Sequence, residues 1–417
     1  MTGNSKTSNK TSNKAGVYGY FEVTHDVSQY TRAAFLSEVG KKTDVFAKFS
    51  IFEGQDSPDA EHDLWGFAVR FYTEQGDYDM VGNHTPVFLM RDALKFPDLI
   101  RSQKRCPVSN QQDFNMFWDF ISLLPESVHQ VTILFSDRGT PGSYRYTDGY
   151  SSHAFMWYNK GGDHVWVKYH FKTEQAIKNL TMEEAGALYG QDPDYAARDL
   201  YDSIDQGDFP AWKVYVQIMT PEQAETYPFD PFDVTKVWYH ADFPLIPVGK
   251  MVLNSIKRDH FTEVEKAFAP SNFVPGIAAS PDKMLQGRLL NCLGTDHLHD
   301  RFGNSHQIPE VDVSRVLARH AQPLEELDFV QAGELYRRVL SESDRVKLVQ
   351  NIAAHLGNAQ RNLQLRQTAM FYKADEDYGT RVAKALGIPV DEVQKLAAMT
   401  QAERVKATQR LGSRLVF

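Results

Sequence analysis

The sequence predicts an α+β protein, an antiparallel β-barrel or sandwich with inserted helices that is followed by a helical bundle. Short segments rich in aromatic and β-branched residues recur between residues 43 and 220, each bounded by turn residues. Helix-like stretches lie between them. Beyond about residue 326 the apolar spacing changes from two to three or four, which is a helical period.

Taken in order, residues 1–14 are mainly Ser, Asn, Lys and Thr, with SNKT and SNK in tandem. They hold nothing that could bury apolar surface, so they are expected to be a disordered tail, with structure starting near Ala15. A barrel domain with inserted helices is expected over 15–255. TDVFAKFSIF (43–52), WGFAVRFYTE (65–74), QVTILFS (130–136), HVWVKYHFKT (164–173) and WKVYVQIMT (212–220) read as strands, and Met182–Tyr189 and Tyr195–Ile204 as helices. Residues 309–325 are irregular. Residues 326–417 read as helical, with a capping pair at Ser341 and Asp344, and an apolar stripe at Val346, Val349, Ile352 and Leu356. Gly357 is the expected C-cap of that helix, and Gly387-Ile388-Pro389 stops a later one.

Composition narrows the function. Of 417 residues 42% are apolar and 24% charged, values of a globular chain with ample core. The net charge of −9 argues against nucleic acid or an anionic membrane as partner. No run approaches the ~20 apolar residues of a membrane span. The N-terminus lacks the apolar stretch of a secretion signal, and the C-terminal SRLVF is not a peroxisomal address, so a cytoplasmic location is expected. Cys106 and Cys292 cannot build a disulfide framework or a cysteine-based zinc site. The Asn-x-Ser/Thr triplets at Asn9, Asn83 and Asn179 are chance matches in such a chain.

Several blocks are more specific. GYFEVTHD (19–26), VGNHTPVF (81–88), WDFISLLPESVHQVTILFSDRGTP (118–141), PFDPFDVTKVW (228–238) and SPDKMLQGRL (280–289) resemble the monofunctional haem catalases of the small-subunit type. The resemblance covers residues 15–309 almost without break and resumes over about 329–389. It implies an eight-stranded antiparallel barrel, then a proximal haem helix and wrapping segment over 256–325, then a C-terminal helical domain over 326–417. It also implies haem b, a homotetramer and the conversion of hydrogen peroxide to water and oxygen.

The family's working residues carry over position by position. Asn83 matches the distal amide that binds peroxide, and Ser50 the hydroxyl that orients the distal histidine. That histidine precedes the block matching Gly16-Val17-Tyr18-Gly19, and an ungapped count places Thr11 on it; threonine takes no proton at neutral pH. The Arg that grips a haem propionate upstream has no counterpart, so the chain reads as shortened at its N-terminus. His25, in VTHD, matches a separate family residue, for which local hydrogen bonding is the plain role. Phe88 and Phe96 match pocket aromatics, and Leu89 replaces a further one. Arg288 matches the arginine one turn before the iron-ligating tyrosine, and residues four apart share a helix face. Cys292 stands at the tyrosine position. Two readings of it are open: a haem thiolate, as an adjacent guanidinium would favour, or a small buried thiol whose sulfur is too short to reach iron. Lys48 and Arg301 fall where propionate-binding arginines are expected, and His62 and Trp65 where the family commonly has arginine. His170 matches a strand histidine with no catalytic role. A histidine that some relatives use for NADPH falls near Tyr146, so NADPH is not expected. The wrapping segment after Ile308-Pro309 is short, which leaves a tetramer without its usual interlocking.

The function expected from these positions is catalase-like with impaired peroxide disproportionation, because Thr11 and Cys292 occupy the distal histidine and proximal tyrosine positions. Two other functions compete with it. One is a diverged haem enzyme, a weak peroxidase or converter of organic hydroperoxides, possible with a Cys292 thiolate. The other is a non-catalytic protein that keeps the catalase shell. An altered start or splice junction is a fourth explanation of the same substitutions.

Overall fold

The computed structural model describes residues 12–51, 64–105, 111, 113–256, 268–292, 308–309, 311–313 and 325–409. Thr11, His62, Cys106, the stretch from His297 to Arg301, and Asn9 lie outside the described residues, as does the side chain of Cys292.

Four strands open the chain: β1 (Ser12–Val23), β2 (Lys42–Ile51), β3 (Trp65–Thr73) and β4 (Gly76–Asn83). Three helices follow, α1 (Phe96–Ser102), α2 (Phe114–Ser122) and α3 (Val128–Phe135). Then come β5 (Gly149–Tyr150), β6 (Phe155–Tyr158) and β7 (His164–Thr173). Helices α4 (Met182–Gln191) and α5 (Tyr195–Asp205) precede β8 (Ala211–Met219), and α6 (Pro221–Thr226) precedes β9 (Ile246–Ser255). A short β10 (Ile277–Ala279) leads into α7 (Lys283–Cys292). The order β7-β5-β4-β3-β2-β1-β9-β8 closes on itself through the β7–β8 pairing, which makes an eight-stranded antiparallel barrel. β6 and β10 extend from the free stretch of β7.

Period-two alternation builds this barrel. Val45, Ala47, Phe49 and Ile51 of β2 point inward with Phe67, Val69 and Phe71 of β3 and Tyr78 and Met80 of β4. Phe49 meets Phe67 edge-on at 5.4 Å and stacks on Tyr144 at 5.0 Å. With aromatics filling the interior, Lys48, Ser50 and Asn83 take the outer face of the barrel, where they are half-buried.

Residues 130–136 correct the sequence expectation, because the expected strand is helix α3. A short, wholly buried apolar run reads alike in either state. Here Val128, Val131, Leu134 and Phe135 pack together against the C-terminal helices, and helical spacing brings them to one side. The first strand also begins at Ser12, three residues before Ala15, and pairs Asn13 with Ser50.

The C-terminal helices are α8 (Glu325–Glu334), α9 (Glu342–Leu356), α10 (Arg361–Ala374), α11 (Glu376–Ala385), α12 (Val390–Ala397) and α13 (Gln401–Ala407). The capping pair at Ser341 and Asp344 bonds in both directions, and Gly357 caps α9. The expected stripe is corrected at one position. Val346 is 43% exposed, and Leu348 takes its place, because 348, 352 and 356 stack at intervals of four. A buried ion cluster fastens α8 to the body: Arg91 reaches Asp233 at 2.8 Å and Asp328 at 2.5 Å, and Lys236 reaches Asp328 at 2.8 Å. No helix among the described residues is long and apolar enough to cross a membrane.

Candidate functional site

Strand register assembles one wall of the site. Asn13 pairs with Ser50, Ser50 with Gly66, Gly66 with Asn83, and Asn83 with Tyr150. Paired residues of adjacent strands share a face, so Ser50 and Asn83 lie on the outer barrel surface with Gly66 between them. A Cβ at Gly66 would stand 2.3 Å from the Ser50 hydroxyl oxygen, so the glycine leaves the room which that hydroxyl occupies. Next to Asn83, buried His84 accepts the Trp65 backbone N–H on Nδ1 at 3.0 Å. Burial pushes its pKa down to about 4, so it is a neutral structural group at ordinary pH.

The facing wall is apolar. Phe88 and Leu89 are buried, Phe96 opens α1 half-buried, and all three pack in one cluster with Met284 of α7. α7 approaches closely here: a Cβ at Gly287 would stand 2.2 Å from the Cβ of Ala93.

A chain of polar groups locks α7 in place. Asp282 precedes the helix, and its Oδ1 accepts the backbone N–H groups of Met284 at 2.9 Å and Leu285 at 3.1 Å. Its Oδ2 lies 2.6 Å from His153 Nδ1, and His153 Nε2 lies 2.8 Å from Arg288 Nη1. Arg288 can only donate, so Nε2 accepts and Nδ1 carries the proton given to Asp282. Burial lowers the His153 pKa, with Asp282 opposing, and the ring stays neutral. The backbone makes this placement possible: Ser152 has φ +57°, a left-handed turn that separates β5 from β6, and Ser151 and His153 bond to each other across it. Arg288 Nη1 also lies 3.4 Å from Val81 O, two residues before Asn83 on β4. Cys292 ends α7 four residues after Arg288.

The other sequence candidates lie elsewhere. Lys48 is half-buried with its cation 5.6 Å from the Phe268 ring centre. Trp65 is buried among the barrel aromatics, 4.9 Å from Tyr144. His25 bonds its neighbour Thr24 at 2.9 Å. His170 bonds Gln217 at 2.9 Å, and burial pushes it down to about 3. Tyr146 packs under Arg145. His153 and Asp282 are the two site residues that sequence reading missed. SPDK carried a signal for Asp282, an acidic residue just before a helix. Nothing periodic marked His153, which sits in a strand break.

Fold and site together define a barrel protein of catalase architecture. A bacterial catalase structure superposes with a TM-score of 0.82 at 36% identity, over 91% of this chain and 86% of that one. Catalase A from Saccharomyces cerevisiae gives 0.81 at 38% identity, over 91% and 89%. The family model described as catalase matches residues 11–324, and one described as catalase-related immune-responsive matches 324–386. The catalase of Methanosarcina barkeri is 52% identical, over 95% of this chain and 88% of that protein. The peroxisomal catalase of Toxoplasma gondii is 46% identical, over 90% and 85%. This chain belongs to the catalase family.

The family is typically haem-dependent, and the described residues fit such a group. Phe88, Leu89, Phe96 and Met284 form one apolar cluster beside α7, chemistry that suits a flat apolar ring, and Arg288 brings a fixed positive charge one turn before residue 292.

Proposed function

We propose that the chain binds haem between the barrel wall and α7, takes hydrogen peroxide or a related hydroperoxide as substrate, and disproportionates hydrogen peroxide slowly. The intact chain Asp282–His153–Arg288, which ends on a guanidinium one turn before residue 292 of α7, carries the haem reading. It orients a guanidinium whose use in this fold is to favour an anionic ligand one turn on. Haem supplies the iron that peroxide oxidises and reduces. On the barrel side the Asn83 amide orients the bound peroxide, and Ser50 stands at the neighbouring register position. The slow step is proton transfer between the two peroxide oxygens. Threonine at position 11 has no accessible neutral base, and general acid–base catalysis is worth roughly 10²–10⁴-fold.

Cys292, one turn after Arg288, would be the candidate iron ligand as thiolate. By its position in the family motif Arg301 would supply charge for the propionates, and NADPH is not part of the assembly. The working unit is a homo-oligomer in the cytoplasm.

The test is the absorption spectrum of the purified chain with haem added. A stoichiometric Soret band is expected, and its position after reduction under carbon monoxide reports the ligand. Cys292→Ser should abolish the thiolate signature. Absence of any specific band would overturn the reading and leave a catalase-shaped protein without haem chemistry.

A further inference from the structure

Lys168 lies on β7 between Val167 and Tyr169, which point into the barrel, so its own side chain runs along the outer face. It is 5% exposed. Its Nζ donates to the Lys236 carbonyl oxygen at 2.9 Å and lies 5.4 Å from the Trp238 ring centre. Lys236, equally buried, has Asp328 at 2.8 Å and Asp233 at 3.6 Å. Lys168 makes no such ion pair among the described residues. A buried ammonium held only by a carbonyl and a ring is costly unless a more distant charge balances it.

The strands place that charge. Val167 pairs with Phe155, and Phe155 with Ala279. The Ser280 hydroxyl donates to the Ala154 carbonyl at 2.5 Å and accepts the Asp282 N–H at 3.3 Å. Lys168 therefore stands beside the corner from which Asp282 reaches His153. Its charge is favoured by Asp282 foremost, then by Asp233 and Asp230, and opposed by Lys236, and in turn it disfavours charge on His153, His129 and His170.

We propose that Lys168 is a positioning residue of the α7 lock, its buried charge balancing Asp282 and helping to hold His153 neutral with Nε2 turned to Arg288. This rests on the functional reading of that lock, but it is tested on His153 itself. Burial pushes Lys168 down to about 8, so its charge disappears near that pH while His153 stays neutral.

The experiment is a pH titration of the full chain labelled with ¹⁵N-histidine, without haem and again with it, the His153 signals being assigned by their loss in His153→Asn. In the wild type the His153 ring nitrogens should shift in a step near pH 8. In Lys168→Met the step should vanish, and the acid titration of His153 should move up by roughly one pH unit, because a nearby like charge has gone. Lys168→Arg, charged throughout, should lack the step and keep the wild-type acid titration. Absence of the step in the wild type overturns the proposal whatever the variants do, so a Met variant that fails to fold leaves it decidable. A chain that binds no haem yet shows the step would sink the proposed function alone. A normal Soret band without the step would sink only the role of Lys168.

Discussion

The two walls of the site are built by different means. On the α7 side, Asp282, His153 and Arg288 come from separate segments and lock into one buried run of hydrogen bonds, 2.6 and 2.8 Å long. On the barrel side, Ser50 and Asn83 meet through strand register, with the bare Gly66 between them. A buried charge chain penalises the loss of any member, because the survivors are left unpaired in a low dielectric. A register row is maintained by backbone pairing, so its side chains can change while the wall stands. That difference predicts that side chains of the barrel row can be replaced with less loss of stability than members of the α7 lock.

The largest test of this contrast is a repair of the barrel side. Thr11→His should raise oxygen evolution from hydrogen peroxide by roughly 10²–10⁴-fold, followed with an oxygen electrode on haem-loaded protein. A gain below about tenfold would mean that the defect lies on the α7 side instead. Next comes Asp282→Ala, which removes the helix cap and leaves His153 and Arg288 without their anion. It should cost about 3–5 kcal/mol in urea unfolding. A loss under about 1 kcal/mol would erase the distinction between the walls. The smallest effect is expected at Gly66→Ala. The new methyl needs only the Ser50 hydroxyl to rotate away, so thermal unfolding should register under about 1 kcal/mol. A cost above about 2 kcal/mol would show the barrel wall to be as intolerant as the lock.

Legibility followed the same divide. Strands β2, β3, β7 and β8 were readable because aromatic and β-branched residues dominate them and largely alternate with polar or small ones, which leaves a period of two in the sequence. Helix α3 was not, because all its residues are buried and burial on every side erases the period. The capping pair at Ser341 and Asp344 was readable because it acts within one turn. Val346 misled, since a helical stripe has edges and only packing decides which edge is covered.

By itself the sequence determined the α+β class, the change from strands to helices, and the blocks that resemble the catalases. Those are local or short-range properties: alternation, caps, and residue order within a motif. Only the tertiary structure decided that Asp282 and His153, 129 positions apart, are hydrogen-bonded with Arg288 on the other ring nitrogen, and that buried Lys168 donates to the Lys236 carbonyl. Such contacts join segments whose spacing along the chain carries no period, and they come together only when the barrel closes and α7 docks against it.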